Sequence, residues 1–273
     1  MKIETNGISL EVEVKGEGAP VLLLHGFPDS HRLWRNQVPA LVDLGYRTIA
    51  PDLRGFGDSD KPEGVDAYNI LNPLEDLCGL LDHLSVETAH VVGHDWGAGL
   101  AWAFASLYPD RVKSLTAISV GHPIAFTDAD SDQLQRSWYM FMFQFEGVAE
   151  EWLSRNDWEF LKTWIGGGGD IDRYVVDLAR PGALTAGLNW YRANIPPASW
   201  IADPPPLPPI AAPVMGIWSK GDTALGEDQM VDSQKYVTGP WRYERIDEAG
   251  HWIPLEAPDR LNELLLDFLD GLG

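Results

Sequence analysis

Basic residues are scarce in this 273-residue chain: 20 lysines and arginines stand against 41 aspartates and glutamates, a formal charge of −21 at pH 7. A surface that negative repels phosphate backbones and anionic lipid headgroups, so neither nucleic acid nor a membrane surface is an expected partner. Cysteine is almost absent. Cys78 stands alone, which excludes an internal disulfide and makes a reducing cytoplasm the simplest home. The segment Met1 to Gly18 has neither the basic n-region nor the apolar h-region of a secretory signal. No apolar run approaches the roughly 20 residues of a membrane helix. A phosphate-cradling loop is missing too, because the glycine run 166–169 lacks the Lys-Ser/Thr that would follow it. What is present is an ordinary globular composition, 45% hydrophobic and 22% charged, in a length that suits one large α/β domain or a domain with an insertion.

Short β-rich runs alternate with longer segments of helical spacing, the rhythm of a mostly parallel sheet with helices on both faces. Ile8 to Val14 alternates as a half-exposed strand. Val21 to Leu24, Tyr46 to Ala50 and Ala89 to Val92 are apolar runs of the kind that buried parallel strands require. Ser30 to Leu44 and Leu74 to Leu84 carry apolar residues three and four apart, and Gly97 to Leu107 is a small-residue helix able to pack closely. After a strand over Val112 to Val120 the rhythm breaks. Residues 122–209 are rich in aromatics without sheet-like runs and hold a four-glycine stretch that suits either a connection or a lid hinge. The stretch closes on a semi-rigid proline spacer, Pro204 to Pro209. Strands resume at Val214 to Trp218 and Arg242 to Ile246, and a helix over Pro258 to Leu269 ends the chain. The expected architecture is an α/β core of residues 1–121 and 210–273, with a helical cap inserted at 122–209.

The most informative segment is Val91-Val92-Gly93-His94-Asp95-Trp96-Gly97-Ala98, where an apolar strand runs into G-x-D-x-G and straight into a helix. That is the context of a nucleophile elbow, with aspartate where the usual motif has serine. Together with His25-Gly26-Phe27-Pro28, Asp52-Leu53-Arg54-Gly55-Phe56-Gly57-Asp58-Ser59 and Gly250-His251-Trp252, it resembles the α/β-hydrolase fold family, and within it the epoxide hydrolases with an aspartate nucleophile. The resemblance covers nearly the whole chain and implies the chain order nucleophile, acid, histidine: Asp95, Asp222 just past the Val214 to Trp218 run, and His251. Asp228, Asp247 and Glu248 are alternative partners for the histidine.

Aspartate decides the reaction class. A serine attacking an epoxide or an alkyl halide would leave an ether that water cannot cleave, whereas a carboxylate leaves an ester. The expected sequence is attack at an sp³ carbon, then hydrolysis of the ester by water that His251 deprotonates while Asp222 holds the imidazole. The backbone N–H groups of Phe27 and Trp96 are the natural donors to the oxyanion.

Trp138-Tyr139-Met140-Phe141-Met142-Phe143-Gln144 resembles the first cap motif of epoxide hydrolases and Asn189-Trp190-Tyr191-Arg192 the second. The resemblance therefore implies Tyr139 and Tyr191 as phenols that clamp an epoxide oxygen and protonate it as the ring opens. Phe27, Trp96, Trp138, Phe141 and Trp190 are candidate walls of the substrate pocket. Phe145-Glu146 departs from the Glu-Pro common in that family. Haloalkane dehalogenases usually place asparagine where Phe27 stands, and fluoroacetate dehalogenases place arginine at the position of Trp96 and His-Trp at Tyr139-Met140. Neither halide site is complete. The implied activity is that of a hydrolase acting on ether bonds, taking a small-molecule epoxide and water, with no cofactor or metal, as a monomer or homodimer. A dehalogenase and a non-catalytic ligand-binding protein on the same fold are the alternatives.

Overall fold

The structure, a computed structural model, describes residues 1–128 and 130–272. Eight strands form one sheet: β1 (Lys2–Thr5), β2 (Ile8–Lys15), β3 (Ala19–Leu24), β4 (Tyr46–Pro51), β5 (Ala89–His94), β6 (Val112–Ile118), β7 (Val214–Ser219) and β8 (Trp241–Ile246). Their spatial order is β1-β2-β4-β3-β5-β6-β7-β8. The pairs β1/β2 and β2/β4 are antiparallel, and the five other neighbouring pairs are parallel. This is the expected α/β architecture, with β1 as an unanticipated edge strand whose four residues are too few and too polar to announce themselves.

The apolar runs are buried strands because both faces of the sheet are covered. Alternation at period two sends Leu22, Leu24 and Val91 into one core and Val21, Leu23 and Val92 into the other. The first core is covered by the helices Leu71–His83, through Leu74, Leu77 and Leu80, and Trp96–Leu107. The second is covered by the helices Gln37–Asp43 and Pro258–Asp270, through Val38, Leu41, Leu261, Leu264 and Leu265. The segment Ser30 to Leu44 is not one helix: a 3-10 turn over His31–Asn36 precedes Gln37–Asp43. Strand β6 stops at Ile118, before the expected Val120, because Ser119 takes a φ of 69° and leaves the extended conformation.

Between β6 and β7 the described residues form helices and, at Ile210, one isolated bridge to Val237, the longer helices being Val148–Ile165, Ile171–Leu178 and Ala183–Asn194. They turn aromatic side chains onto the core: the Tyr191 ring packs on Phe27 and Trp96, and Trp190 packs on Trp96 and Phe56. The glycine run 166–169 is a site of contact as well as a connection. A side chain on Gly168 would meet the Glu256 carboxylate, and one on Gly169 would meet Tyr174 and Trp252. The proline segment lies against the helix Trp96–Leu107, where Ser106 Oγ donates to the Pro208 carbonyl at 2.5 Å.

The loops after β3 and β4 are tied together by charge. Asp52 accepts from the His31 backbone N–H at 2.8 Å, from the His31 imidazole at 2.7 Å and from the Asp58 N–H at 2.8 Å. Burial opposes that charge, but the His31 contacts, with His25 and the Asp58 N–H, together outweigh it and hold the Asp52 carboxyl down at about 2. Arg54 makes two 2.6 Å bonds to Asp76, both side chains almost wholly buried. Its carbonyl accepts from the Trp190 indole N–H at 3.1 Å, which links the Arg54 loop to the helix Ala183–Asn194. Removing one member of a buried pair leaves the other charge unpaired, at a cost of about 3–5 kcal/mol. Asp76→Asn is expected to destabilise the protein by that amount in urea unfolding, and a change under about 1 kcal/mol would show that Arg54 finds other partners.

Candidate active site

The site begins with a backbone turn that few sequences permit. Asp95 follows β5 and caps the helix Trp96–Leu107 with φ 53° and ψ −124°. A non-glycine residue in such a conformation costs about 1–3 kcal/mol and persists only where its surroundings impose it. Here they do. A Cβ on Gly97 would collide with the Leu24 carbonyl, and one on Gly26 with the Asp95 carboxylate, so glycine at both positions lets the helix close on β3 and the Phe27 turn close on Asp95. The Phe27 N–H then donates to Asp95 Oδ1 at 2.8 Å. The other oxygen, Oδ2, lies 3.6 Å from His251 Nε2. Burial works against the Asp95 charge, but His251 outweighs it, helped by His94 and the Trp96 N–H, and the carboxyl stays below the usual range.

His251 follows β8 and points its other nitrogen at Asp222, with Nδ1 2.8 Å from Oδ2. Asp222 is itself fixed, because its Oδ1 accepts from the Ala224 N–H at 2.8 Å and the Leu225 N–H at 2.9 Å. Burial disfavours the imidazolium, yet the Asp222 charge and hydrogen bond, together with Asp95, raise His251 to about 10. The structure thus brings Asp95, His251 and Asp222 together, while Asp228, Asp247 and Glu248 are exposed. Asp247 pairs instead with Arg245.

Tyr139 and Tyr191 are buried, their ring centroids 6.0 Å apart, and both line a cavity of about 590 Å³ that Asp95 also lines. Burial first, and then the Asp95 charge, push both phenols well above their ordinary value. Such phenols are protonated at neutral pH, and a carboxylate oxygen beside two O–H donors can attack a carbon while its leaving oxygen is protonated. Of the five aromatic residues expected to wall the pocket, Trp96 lines this cavity. Trp138 and Phe141 lie on the outside, at 44% and 38% exposure, against Trp152 and Trp200. Trp190 and Phe27 are buried behind the wall, packed on Trp96 and Tyr191 respectively. Aromatic content did not distinguish these places, because the helices between β6 and β7 have a core and a surface of their own.

Several supporting residues escaped the motif reading. The His251 carbonyl accepts from His94 Nε2 at 2.8 Å and Ser119 Oγ at 3.1 Å. Glu256 accepts the N–H groups on either side of the histidine, Gly250 and Trp252, each at 3.0 Å. Asp29, next to Pro28, accepts from Tyr174 at 3.0 Å and the Trp252 indole at 3.1 Å. Burial raises Asp29 to about 7 despite those donors. The only sequence signals were an acid beside the Phe27 turn and another five residues after His251.

Comparison with known proteins bears on the family and the fold. The family described as alpha/beta hydrolase fold matches residues 19–258. An AB hydrolase superfamily protein, YfhM, of Bacillus subtilis (strain 168) is 38% identical, with 98% of this chain and 96% of the relative covered. Epoxide hydrolase 2 of Siraitia grosvenorii is 48% identical over 98% of this chain and 96% of its own. The crystal structure of a Bacillus megaterium epoxide hydrolase in complex with an inhibitor superposes with a TM-score of 0.90 at 29% identity, covering 99% of this chain and all of the other.

A histidine held between two carboxylates is expected to be cationic in the resting protein. In ¹H–¹⁵N NMR spectra the His251 imidazolium is expected to persist at pH 8 and to titrate near 10. Asp222→Asn is expected to return it to or below the ordinary value of about 6.5. A neutral His251 at pH 8 in the unsubstituted protein would contradict the electrostatic balance described.

Proposed function

The chain belongs to the α/β-hydrolase fold family and resembles its epoxide hydrolases, and from that premise we propose that it converts epoxides to vicinal diols through an ester on Asp95. Residues 122–209 act as a cap over a core formed by 1–121 and 210–273, and the cap supplies the two phenols. The observation that carries the reading is the placement of Tyr139 and Tyr191 on the same cavity as the Asp95 carboxylate.

Asp95 Oδ2 attacks one epoxide carbon, the ring C–O bond breaks, and the departing oxygen takes a proton from Tyr139 or Tyr191. Esterification removes the Asp95 charge. One of the two carboxylates holding the proton on His251 is then gone, and the imidazolium can return a proton to the phenolate and become a neutral base. His251 Nε2 next deprotonates a water, whose oxygen adds to Cγ of the ester. The oxyanion on Oδ1 sits where the Phe27 N–H already points, with the Trp96 N–H beside it, donors of a kind typically worth ~3 kcal/mol each. Collapse releases the diol, the second proton of the water ends on its new hydroxyl, and Asp95 and the His251 cation are restored. Epoxide plus water gives diol, with every proton accounted for and no cofactor required by the chemistry.

The experiment is a diol assay on aryl and alkyl epoxides with halide release from haloalkanes and haloacids measured in parallel. Diol formation without halide release is expected. Asp95→Asn is expected to lower kcat by at least ~10⁴ and Tyr139→Phe/Tyr191→Phe by at least ~10². Halide release with no diol would establish a dehalogenase, and full activity in the double tyrosine variant would show that the phenols only pack.

A further inference from the structure

Glycine at position 99 has no steric reason to be there. Gly93 and Gly97 are each pressed against backbone, since a side chain on Gly93 would strike the Gly97 carbonyl and one on Gly97 the Leu24 carbonyl. A Cβ on Gly99 meets no heavy atom within 4 Å. Gly99 lies in the helix Trp96–Leu107, where any residue but proline would favour the helix more. The space it leaves open is the cavity beside Asp95, which Gly99 lines.

Trp96, Gly99, Ala103 and Leu107 all line that cavity, and their spacing of three, four and four residues puts them on one helix face. From Asp95 to Leu107 is 107 − 95 = 12 positions, about 18 Å of helix at 1.5 Å per residue. Ile124, Pro204, Pro205 and Leu207, all outside that helix, line the cavity as well. At the reacting end Asp95, Tyr139 and Tyr191 are buried, whereas Leu107, Ala202 and Pro205 are exposed. Among the described residues the lining holds no lysine, arginine or histidine, and an exposed carboxylate, Asp203, stands among the residues of the proline segment.

We propose that the cavity is a channel for a long, uncharged aliphatic chain bearing a terminal epoxide, and that Gly99 determines this specificity by keeping the channel open next to the reacting carbon. The assignment of the epoxide end rests on the function proposed above. The chain lies along the Trp96–Leu107 helix beneath the proline segment, with its epoxide at Asp95. A chain ending in a carboxylate is disfavoured, because it would leave water for a wall that offers Asp203 and no cation.

The test compares kcat/KM for 1,2-epoxybutane, 1,2-epoxyoctane and 1,2-epoxydodecane, and for a long-chain terminal epoxide ending in a methyl ester or in the free carboxylate. The unsubstituted enzyme is expected to favour the dodecane over the butane epoxide by on the order of tenfold or more, and the ester over the carboxylate by a similar factor. Gly99→Leu is expected to cut the dodecane-to-butane ratio by at least roughly tenfold, and Leu207→Trp, at a lining residue of the proline segment, to do the same. An unchanged ratio in both variants would overturn the proposal. Gly99→Ala guards against misfolding as the explanation: its thermal midpoint is expected to be no lower than that of the parent, and a lower one would show that position 99 needs glycine for packing.

Calorimetric titration of Asp95→Asn with 1,2-dodecanediol and 1,2-butanediol reads the channel without turnover. Tighter binding of the longer diol, weakened by Gly99→Leu, supports the channel even if no epoxide is hydrolysed, a result that would overturn the hydrolase reading alone. Equal affinities for the two diols would overturn the channel and leave the hydrolase reading standing.

Discussion

An imidazolium held between two buried carboxylates is the interaction on which the site depends. Burial alone would push the Asp95 carboxyl up, and a histidine without the two carboxylates would be neutral in this interior. Together they keep Asp95 as a carboxylate and His251 as a cation near 10. The arrangement is also self-timed. Alkylation of Asp95 would delete one of the charges that hold the histidine proton, so the base required for the second step would be made by the first.

Such balance needs fixed geometry, and most of the surrounding structure supplies it. The sheet delivers Asp95 directly after β5, and Asp222 and His251 in the loops that follow β7 and β8. Glycine at 97 and 26 allows backbone to approach where a side chain would block it, which holds Asp95 at its positive φ and brings the Phe27 N–H onto Oδ1. The histidine is gripped through its backbone: His94 and Ser119 hold its carbonyl, and Glu256 holds the amides on both sides. The glycine run 166–169 and Tyr174 press on this same loop, so the stretch between β6 and β7 that holds the phenols also buttresses the base, through other helices.

How much of this was legible in the sequence follows from what each residue does. Buried parallel strands announce themselves as apolar runs, so β3, β5 and β7 were readable to within two residues, whereas Lys2–Thr5 shows only four residues of alternation. Asp95, Asp222 and His251 were readable because each follows a strand, in a fixed order and with a chemistry that explains its type. Glu256, Asp29 and His94 work by accepting or donating at other groups' backbone or indole atoms, and such service leaves no spacing rule. Trp138 and Phe141 could not be told from Trp96 as pocket walls, since aromatic residues serve a helix surface, a helix core and a cavity wall alike. Gly99 reads as a helix weakness until the empty space beside it is seen.

The claim at the centre is a covalent ester on Asp95, and the most direct measurement is the intact mass of His251→Gln protein after brief exposure to epoxides. Without its base that variant is expected to form the ester and hydrolyse it slowly. A gain equal to one whole epoxide, mapped to the peptide that carries Asp95 and absent in Asp95→Asn, is the expected result. No gain from any epoxide that the unsubstituted enzyme turns over, or a gain that persists in Asp95→Asn, would contradict it.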